Sequence, residues 1–224
     1  MHLVDHEIRA MRELGAVVIE PFHEDQLMPQ SYDLTLGPWY WRYGVTRDDK
    51  IDLANPRTAF SGPYDARHLG DLICVCPGER ILGHTNERVG GTVASEPVME
   101  MFPLPHGKVT THRTCCNVDI STTSTAARIG ISAHPSAGHG DPGFVNRWTL
   151  EISNDSPFDI HLPVGAIIVQ ALFSECAVPE HLYNEREGSG RYQDGDWKPE
   201  HMLPRPLKVR DSGCERLTEC DEDG

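Results

Sequence analysis

The sequence predicts an all-β (mainly β) fold, a distorted β-barrel or jelly roll with a short N-terminal helix. Short apolar segments rich in β-branched and aromatic residues follow one another closely, and Gly, Pro or Asn stand at most of the joins between them. The 20 glycines and 17 prolines among 224 residues favour many turns and short strands over long helices. Alternating strand and helix patterns, which would predict a parallel sheet, do not describe this chain.

The elements are predicted from the local patterns in chain order. Residues 1–15 predict an amphipathic helix that Asp5 caps and Gly15 ends, with an apolar side at positions 8, 11 and 14. Residues 46–64 predict a loop, and STTSTAARIG predicts a Ser/Thr-rich turn before a strand. The strand candidates are AVVIEPF, SYDLTLG, WYWRYGV, DLICVCPG, RILGHTNERV, KVTTHRTCCNVDI, RIGISAH, RWTLEIS, FDIHL and AIIVQALF.

Apolar residues become sparse after Cys176, and this change divides the chain in two. We expect a β-barrel domain over residues 1–176 and a C-terminal lid with an acidic tail over residues 177–224. The segment YNEREGSGRYQDGD is polar and contains two arginines. Two interpretations of it stay open, a flexible tail and a lid that orders over a ligand.

The charge and the apolar content exclude some classes of partner. A net charge of −14 argues against a nonspecific nucleic-acid binder, but a small anionic substrate fits if several Arg or Lys converge locally. The sequence contains no run of eighteen apolar residues, and its N-terminus does not resemble a secretory leader. We therefore expect a cytoplasmic protein with reduced thiols and no membrane or nucleic-acid partner.

Seven cysteines and twelve histidines raise the question of a metal site. Zinc nucleobase deaminases need His-x-Glu followed by Pro-Cys-x-x-Cys, and the chain has neither motif. The segments CVCP and HRTCC do not match the ligand spacing of a closed tetrahedral site. We expect no zinc and no protein-held metal.

Two polar features remain without a structural explanation. The hydroxyl-rich run Ser121–Thr125 leads to Arg128, and such turns suit phosphate oxygens or a held water. Glu151 lies in a predicted strand whose residues Trp148 and Ile152 alternate with polar ones. Each feature also has an interpretation without a function. The hydroxyl-rich run would then be a plain turn before a strand, and Glu151 would be an outward-facing strand residue.

Taken together, STTSTAARIG, SAGHGDPGF and RWTLEISN resemble the dCTP deaminase branch of the dUTPase-like family. The spacing matches without gaps from Ser124 through Arg128 and Asp141 to Glu151. SYDLTLG, RILGHTNE, VGAIIVQALF and GSGRYQDG are similar to further family segments. The resemblance covers most of residues 1–196, with a divergent stretch at residues 90–109, and it implies the β-barrel of the dUTPase-like type.

The resemblance implies zinc-free deamination of a cytosine deoxynucleotide. Glu151 would act as general base and then general acid, while Ser124 and Arg128 would orient the water and stabilise developing charge. Homotrimers with shared active sites are implied, with Mg²⁺ bound through the nucleotide phosphates. Substrate binding is assigned by the resemblance to Thr123, Thr125, Ala137, Asp141, Phe144, Gln170, Tyr183, Arg191 and Tyr192.

One departure from the family pattern weakens the triphosphate site. The position before Ser124 is Thr123, where the family commonly has Arg or Lys. We favour conversion of dCTP to dUTP and ammonia. The alternatives are a bifunctional deaminase and dUTP diphosphatase that forms dUMP, a plain dUTPase, and a nucleotide-binding sensor without activity.

Overall fold

The computed structural model describes residues 2–44, 50–95, 114–133, 137–185 and 196–207. This part of the chain contains two α-helices, α1 (Asp5–Glu13) and α2 (Ser124–Arg128), and thirteen strands. The strands are β1 (Val17–Glu20), β2 (Leu27–Met28), β3 (Ser31–Thr35), β4 (Trp39–Tyr43), β5 (Phe60–Asp65), β6 (Leu72–Val75), β7 (Arg80–Gly91), β8 (Cys115–Thr122), β9 (Ile131–Ala133), β10 (His139–Gly140), β11 (Val145–Asn154), β12 (Ile160–Pro163) and β13 (Ile167–Cys176). Short 3₁₀ helices lie at Glu24–Gln26, Pro56–Ala59, Ala66–Leu69, Tyr183–Glu185 and Pro199–Met202.

The strands form two main antiparallel sheets and one small one, so the predicted mainly β class is confirmed. A six-stranded sheet has the order β5-β4-β7-β11-β9, with β1 also paired to β7. A five-stranded sheet has the order β10-β8-β13-β3-β2, and β6 pairs with β12. The result is a distorted β-sandwich with the character of a jelly roll.

One hydrophobic core joins the sheets, and strand periodicity decides which side chains enter it. On β11, Trp148, Leu150 and Ile152 are buried in this core, and the alternate positions face away from it. Phe173 of β13 and Tyr32 of β3 are fully buried on the other sheet. The same alternation therefore places Glu151 on the opposite face of the six-stranded sheet.

The N-terminal helix forms as predicted, with a different cap. Val4 precedes its first turn in extended conformation, and its amide N–H donates to the Glu7 carboxylate at 2.9 Å. Asp5 is the first helical residue, so the prediction that Asp5 caps the helix was wrong. Glu7 satisfies the free N–H group here because it lies three residues into the chain from Val4. Gly15 follows the helix with a φ of 76°.

Two further local predictions were wrong. The loop predicted over residues 46–64 includes β5, which pairs with β4 and places the Phe60 ring 4.6 Å from the Tyr43 ring. The predicted Ser/Thr turn is helix α2, whose first amides are capped by Thr123. The Thr123 hydroxyl accepts from the Ala126 amide at 3.4 Å.

The C-terminal segment, residues 196–207, lies on the outer face of the six-stranded sheet. The Trp41 indole donates to the Pro199 carbonyl at 2.9 Å. Met202 and Leu203 are buried against Trp41 and Leu82 in a second, smaller hydrophobic cluster. This packing fixes part of the chain beyond β13 against the face that carries Glu151. Within the described ranges, none of the helices combines the length and apolar character needed to span a membrane.

Candidate active site

A cavity of about 740 Å³ opens on the outer face of β7 and β11, beneath the C-terminal segment. Its volume lies within the usual range for sites that bind small molecules. Five residues that the sequence analysis assigned to a site line this cavity, namely Ala137, Asp141, Phe144, Glu151 and Tyr183. The structure thus brings together side chains that are up to 46 positions apart in the sequence.

Glu151 is held by the centre of the sheet. It lies opposite Leu82 of β7, and its neighbours on β11, Leu150 and Ile152, are completely buried. Glu151 itself is half-buried on the cavity wall. A carboxylate fixed in this way has a defined position and direct access to a ligand, as a general base requires.

Three aromatic rings form one side of the cavity. Phe144 meets Trp148 and Tyr183 edge to face, with ring centroids 4.9 and 5.2 Å apart. The turn before Phe144 is closed against the chain after β13, because the Tyr183 amide donates to the Pro142 carbonyl at 2.9 Å. Gly143 has a φ of 91°, and a Cβ there would lie 2.8 Å from the Asn184 side chain. The aromatic wall is therefore set by two segments locked together.

Three arginines line the same cavity, Arg80, Arg147 and Arg205. They provide the local positive charge that a small anionic ligand needs in a chain with a net charge of −14. The sequence analysis did not assign them. Period two along β11 places Arg147 on the face of Glu151, so this pattern could have identified it. Arg205 comes from the C-terminal segment and has no local sequence signal.

The second carboxylate of the cavity, Asp141, is exposed beside a histidine. His139 Nε2 lies 3.7 Å from the Asp141 carboxylate, and His139 Nδ1 lies 2.7 Å from that of Asp119. Asp141 and Glu151 thus face one cavity from different elements, a turn and a strand. Two carboxylates with separate settings can serve two chemical steps.

A buried histidine supports the wall from behind. His84 is fully buried, its Nδ1–H donates to the Thr85 carbonyl at 2.8 Å, and its Nε2 accepts from the Trp39 amide at 3.2 Å. Burial lowers the pKa of His84 to about 4, so the ring is neutral at neutral pH. Trp197, which lines the cavity, lies 4.3 Å from the His84 ring, and Arg147 lies 5.5 Å from the Trp197 ring centre.

The second group of predicted site residues lies outside the lining of this cavity. Ser124, Thr125 and Arg128 are exposed on α2, and Thr123 caps that helix. The Gln170 amide donates to Ser121 at 3.3 Å and accepts from Ser31 at 3.2 Å within the five-stranded sheet. Arg191 and Tyr192 lie outside the described residues.

The buried cysteines are unsuited to nucleophilic catalysis. Cys115 and Cys116 are fully buried at the start of β8. Burial raises the pKa of Cys115 to about 12 and raises that of Cys116 as well, which keeps both thiols protonated. Within the described ranges, the cysteines are free thiols.

Comparison with known proteins supports the family resemblance. The model of the dCTP deaminase-like family matches residues 2–100 and 107–176. A dCTP deaminase, dUMP-forming, from Coprothermobacter proteolyticus is 30% identical over 194 residues, which are 84% of this chain and 91% of that protein. One from Methanobrevibacter smithii is 29% identical over 203 residues, 88% of this chain and 92% of that protein.

The fold comparison agrees with the sequence comparison. The crystal structure of 2′-deoxycytidine 5′-triphosphate deaminase from Agrobacterium tumefaciens superposes with a TM-score of 0.51 at 19% identity. The superposition covers 77% of this chain and 47% of that longer one, and it shows the shared fold. With three quarters of its length matched to the family model, this chain belongs to the dCTP deaminase-like family of enzymes.

Proposed function

We propose that this enzyme deaminates dCTP at the Glu151 cavity and hydrolyses the resulting dUTP to dUMP. The observation that carries the first step is the position of Glu151, half-buried on a central strand and facing a cavity of nucleotide size. Family membership supports the substrate class. The Mg²⁺ complex of the nucleotide is taken as the substrate, with the metal on the phosphates.

The chemistry of deamination fits one carboxylate acting twice. Glu151 takes a proton from water, and the hydroxide adds to C4 of the cytosine. The carboxyl group delivers that proton to N3 of the base and then carries the proton of the new C4 hydroxyl to the amino group. The C4–N bond breaks, and ammonia leaves with a uracil carbonyl in its place. A donor near the developing charge contributes about 100–1,000-fold to such a rate, which is the role proposed for Arg128.

The cavity also supplies groups for the rest of the nucleotide. The rings of Phe144 and Tyr183 offer apolar surface for the base, and Arg80, Arg147 and Arg205 offer charge for the phosphates. These arginines carry positive charge of the kind that is missing at Thr123, where the family commonly has Arg or Lys. Their charge supports a triphosphate as the proposed substrate.

The second step is favoured by the relatives. The sequence analysis favoured release of dUTP, whereas the curated relatives described above are named dUMP-forming. Asp141 supplies a second carboxylate in the same cavity. We assign to it the activation of a water toward the α-phosphorus, which would yield dUMP and pyrophosphate.

The position of α2 supports a shared active site. Ser124 and Arg128 are exposed and do not line the cavity of their own chain. Their proposed roles require α2 of a neighbouring subunit to approach Glu151, as in the homotrimer that the resemblance implies. Ile129, directly after α2, is 54% exposed and offers apolar surface for such a contact. Residues 177–224 are proposed to include the lid, with Arg191 and Tyr192 on the phosphates.

The test compares ammonia and pyrophosphate release from dCTP and dUTP with Mg²⁺. The wild type should release both products from dCTP, and pyrophosphate from dUTP. Glu151→Gln should abolish ammonia release while retaining nucleotide binding and pyrophosphate release from dUTP, because the amide cannot accept the proton. Glu175→Gln, on an exposed strand position outside the cavity, is the matched control.

Each other outcome would overturn a defined part of the proposal. Ammonia without pyrophosphate would show a deaminase that releases dUTP. Pyrophosphate from dUTP without ammonia from dCTP would show a dUTPase. Nucleotide binding without either product would show a sensor. Full deamination by Glu151→Gln would remove Glu151 from the mechanism.

A further inference from the structure

The small sheet formed by β6 and β12 carries an unusual set of side chains on its outer face. In its register, His161 lies opposite Cys74, and Ile160 lies opposite Val75. If this register is continued one step beyond the paired residues, Asp159 comes opposite Cys76. Side chains directly opposite one another in an antiparallel pair lie on the same face. Cys74, Cys76, Asp159 and His161 thus share one face.

The other face of this small sheet is the buried one. Ile73 and Val75 of β6 are fully buried, and Leu162 of β12 is nearly so. Their alternation forces Cys74 and Cys76 outward, where Cys76, Asp159 and His161 are exposed and Cys74 is half-buried. The polar face therefore follows from the packing of the core beneath it.

Three of these groups are already close enough to share one ion. One ligand atom each from Cys74, Cys76 and Asp159 lies within 4.8 Å of the other two. Donor atoms around a tetrahedral zinc ion lie roughly 3.3–3.8 Å apart, given the usual Zn–S and Zn–N distances. Rotation of these surface side chains would close this difference. His161 is not part of this close group, but it is exposed opposite Cys74, so rotation of its side chain would bring its imidazole in as a fourth donor.

The backbone beneath the cluster is held by hydrogen bonds to both strands. The Asn154 side-chain amide donates to the Val75 carbonyl at 2.8 Å and to the Phe158 carbonyl at 2.7 Å. The Cys76 amide donates to the Glu79 carboxylate at 2.8 Å. One buried amide thus connects the two strands next to the thiols and carboxylate. Such support lowers the cost of ordering the ligands on binding.

The surrounding charge favours a cation. The carboxylates of Asp159 and Glu79 lie close enough to the Cys76 thiol to interact with it electrostatically. Arg42 forms an ion pair with Glu79 and donates to the Cys74 carbonyl at 2.6 Å. This arginine neutralises Glu79, so the negative charge next to the ion comes from the two thiolates and Asp159.

We infer that Cys74, Cys76, Asp159 and His161 form a binding site for a thiophilic divalent cation, with zinc as the ion that fits these donors. Binding converts each thiol to a thiolate, so two protons leave per ion bound. The four residues do not line the cavity of Glu151, so the role is structural. The ion joins β6 to β12 at the edge of the fold. Zinc was not expected from the sequence because the spacings in CVCP and HRTCC match no closed tetrahedral site. The register of β6 and β12 brings two further donors to the cysteines of CVCP.

The test titrates reduced, chelator-treated, full-length protein with Co²⁺ without oxygen and then with Zn²⁺. One Co²⁺ per chain should bind with a sulfur-to-cobalt charge-transfer absorption and the intense visible bands of a tetrahedral site. Zn²⁺ should displace it, and Zn²⁺ should raise the Tm. The Cys74→Ser/Cys76→Ser variant should lose the charge-transfer absorption and the Tm response, with an unchanged far-ultraviolet circular dichroism spectrum.

Matched variants separate this site from the other thiols and histidines. Cys214→Ser/Cys220→Ser removes the same number of thiols and should leave the cobalt spectrum unchanged. His161→Ala and Asp159→Asn should weaken Zn²⁺ binding by about 10–100-fold or more. His181→Ala, at an exposed histidine away from β12, should not.

Three results would refute the site. The first is a stoichiometric cobalt–sulfur spectrum that persists in Cys74→Ser/Cys76→Ser. The second is the absence of any charge-transfer absorption in the reduced wild type. The third is unchanged Zn²⁺ affinity in both His161→Ala and Asp159→Asn. None of these readouts depends on nucleotide turnover.

Discussion

The buried histidine behind the cavity wall makes the stability of this protein depend on pH. His84 has its pKa lowered from 6.5 to about 4, chiefly by burial. A base whose pKa is lower in the folded state favours folding while it is neutral, above about pH 6.5. That contribution is lost as the pH falls from 6.5 toward 4, because the unfolded chain then binds a proton that the folded protein excludes.

The expected size follows from this difference in pKa. One pKa unit corresponds to about 1.4 kcal/mol. Relative to pH 7, His84 should therefore lower the free energy of unfolding by about 2 kcal/mol at pH 5 and about 3 kcal/mol at pH 4. The folded ring has little freedom to move into solvent and be protonated there, because it is packed so tightly that a Cβ on Gly37 would lie only 1.9 Å from it.

Urea unfolding of the wild type and of His84→Gln, at several pH values and a fixed protein concentration, measures this contribution. Glutamine stays neutral, so the variant should be less stable at pH 7 but should lose about 2 kcal/mol less than the wild type between pH 7 and 5. His181→Gln, at an exposed histidine, should keep the wild-type dependence. Equal pH dependence in His84→Gln and the wild type would refute the assignment.

Three other substitutions test separate parts of the structure. Arg128→Ala should lower the rate of deamination by about 100-fold or more. The free energy of unfolding should not change, because the side chain is exposed, and Arg57→Ala is the control. A rate close to that of the wild type would remove Arg128 from the site. Asn154→Ala leaves the Val75 and Phe158 carbonyls without their donor and should lower the free energy of unfolding in urea by about 3 kcal/mol. A loss of less than about 1 kcal/mol would contradict these hydrogen bonds. Trp197→Ala should cost about 2 kcal/mol and also bring the His84 pKa closer to 6.5; an unchanged pH dependence of unfolding would show that Trp197 does not shield the ring.

Local patterns predicted the parts of this fold that depend on neighbours in sequence. Period two along β11 was enough to place Glu151 opposite the buried Leu150 and Ile152. Periodicity does not predict a strand whose formation depends on a partner strand distant in sequence. Residues 60–65, FSGPYD, contain Gly and Pro next to each other, yet they form a strand because β4 provides aromatic partners such as Tyr43.

In the candidate site too, some residues can be found from local sequence motifs and others only from the packing of distant segments. Glu151 and Asp141 belong to short motifs that resemble those of the family, so both were assigned to a site from the sequence, and both line the cavity. Arg205 reaches the cavity only because residues 196–207 pack on Trp41 and Leu82, which nothing in the local sequence indicates. The approach of Cys74 to Asp159 likewise depends on the register of two strands 85 positions apart, and no spacing rule contains it.

The packing of Trp197 and Met202 on the outer face brings two distant parts of the chain to one cavity. Tyr183 is fixed on one side by Pro142, and Pro199 is fixed on the other by Trp41. Tyr183 and Trp197 thus line one cavity although they belong to separate described segments. Folding has already lost the entropy of bringing these two side chains together, so a ligand that binds in this cavity does not meet that cost again.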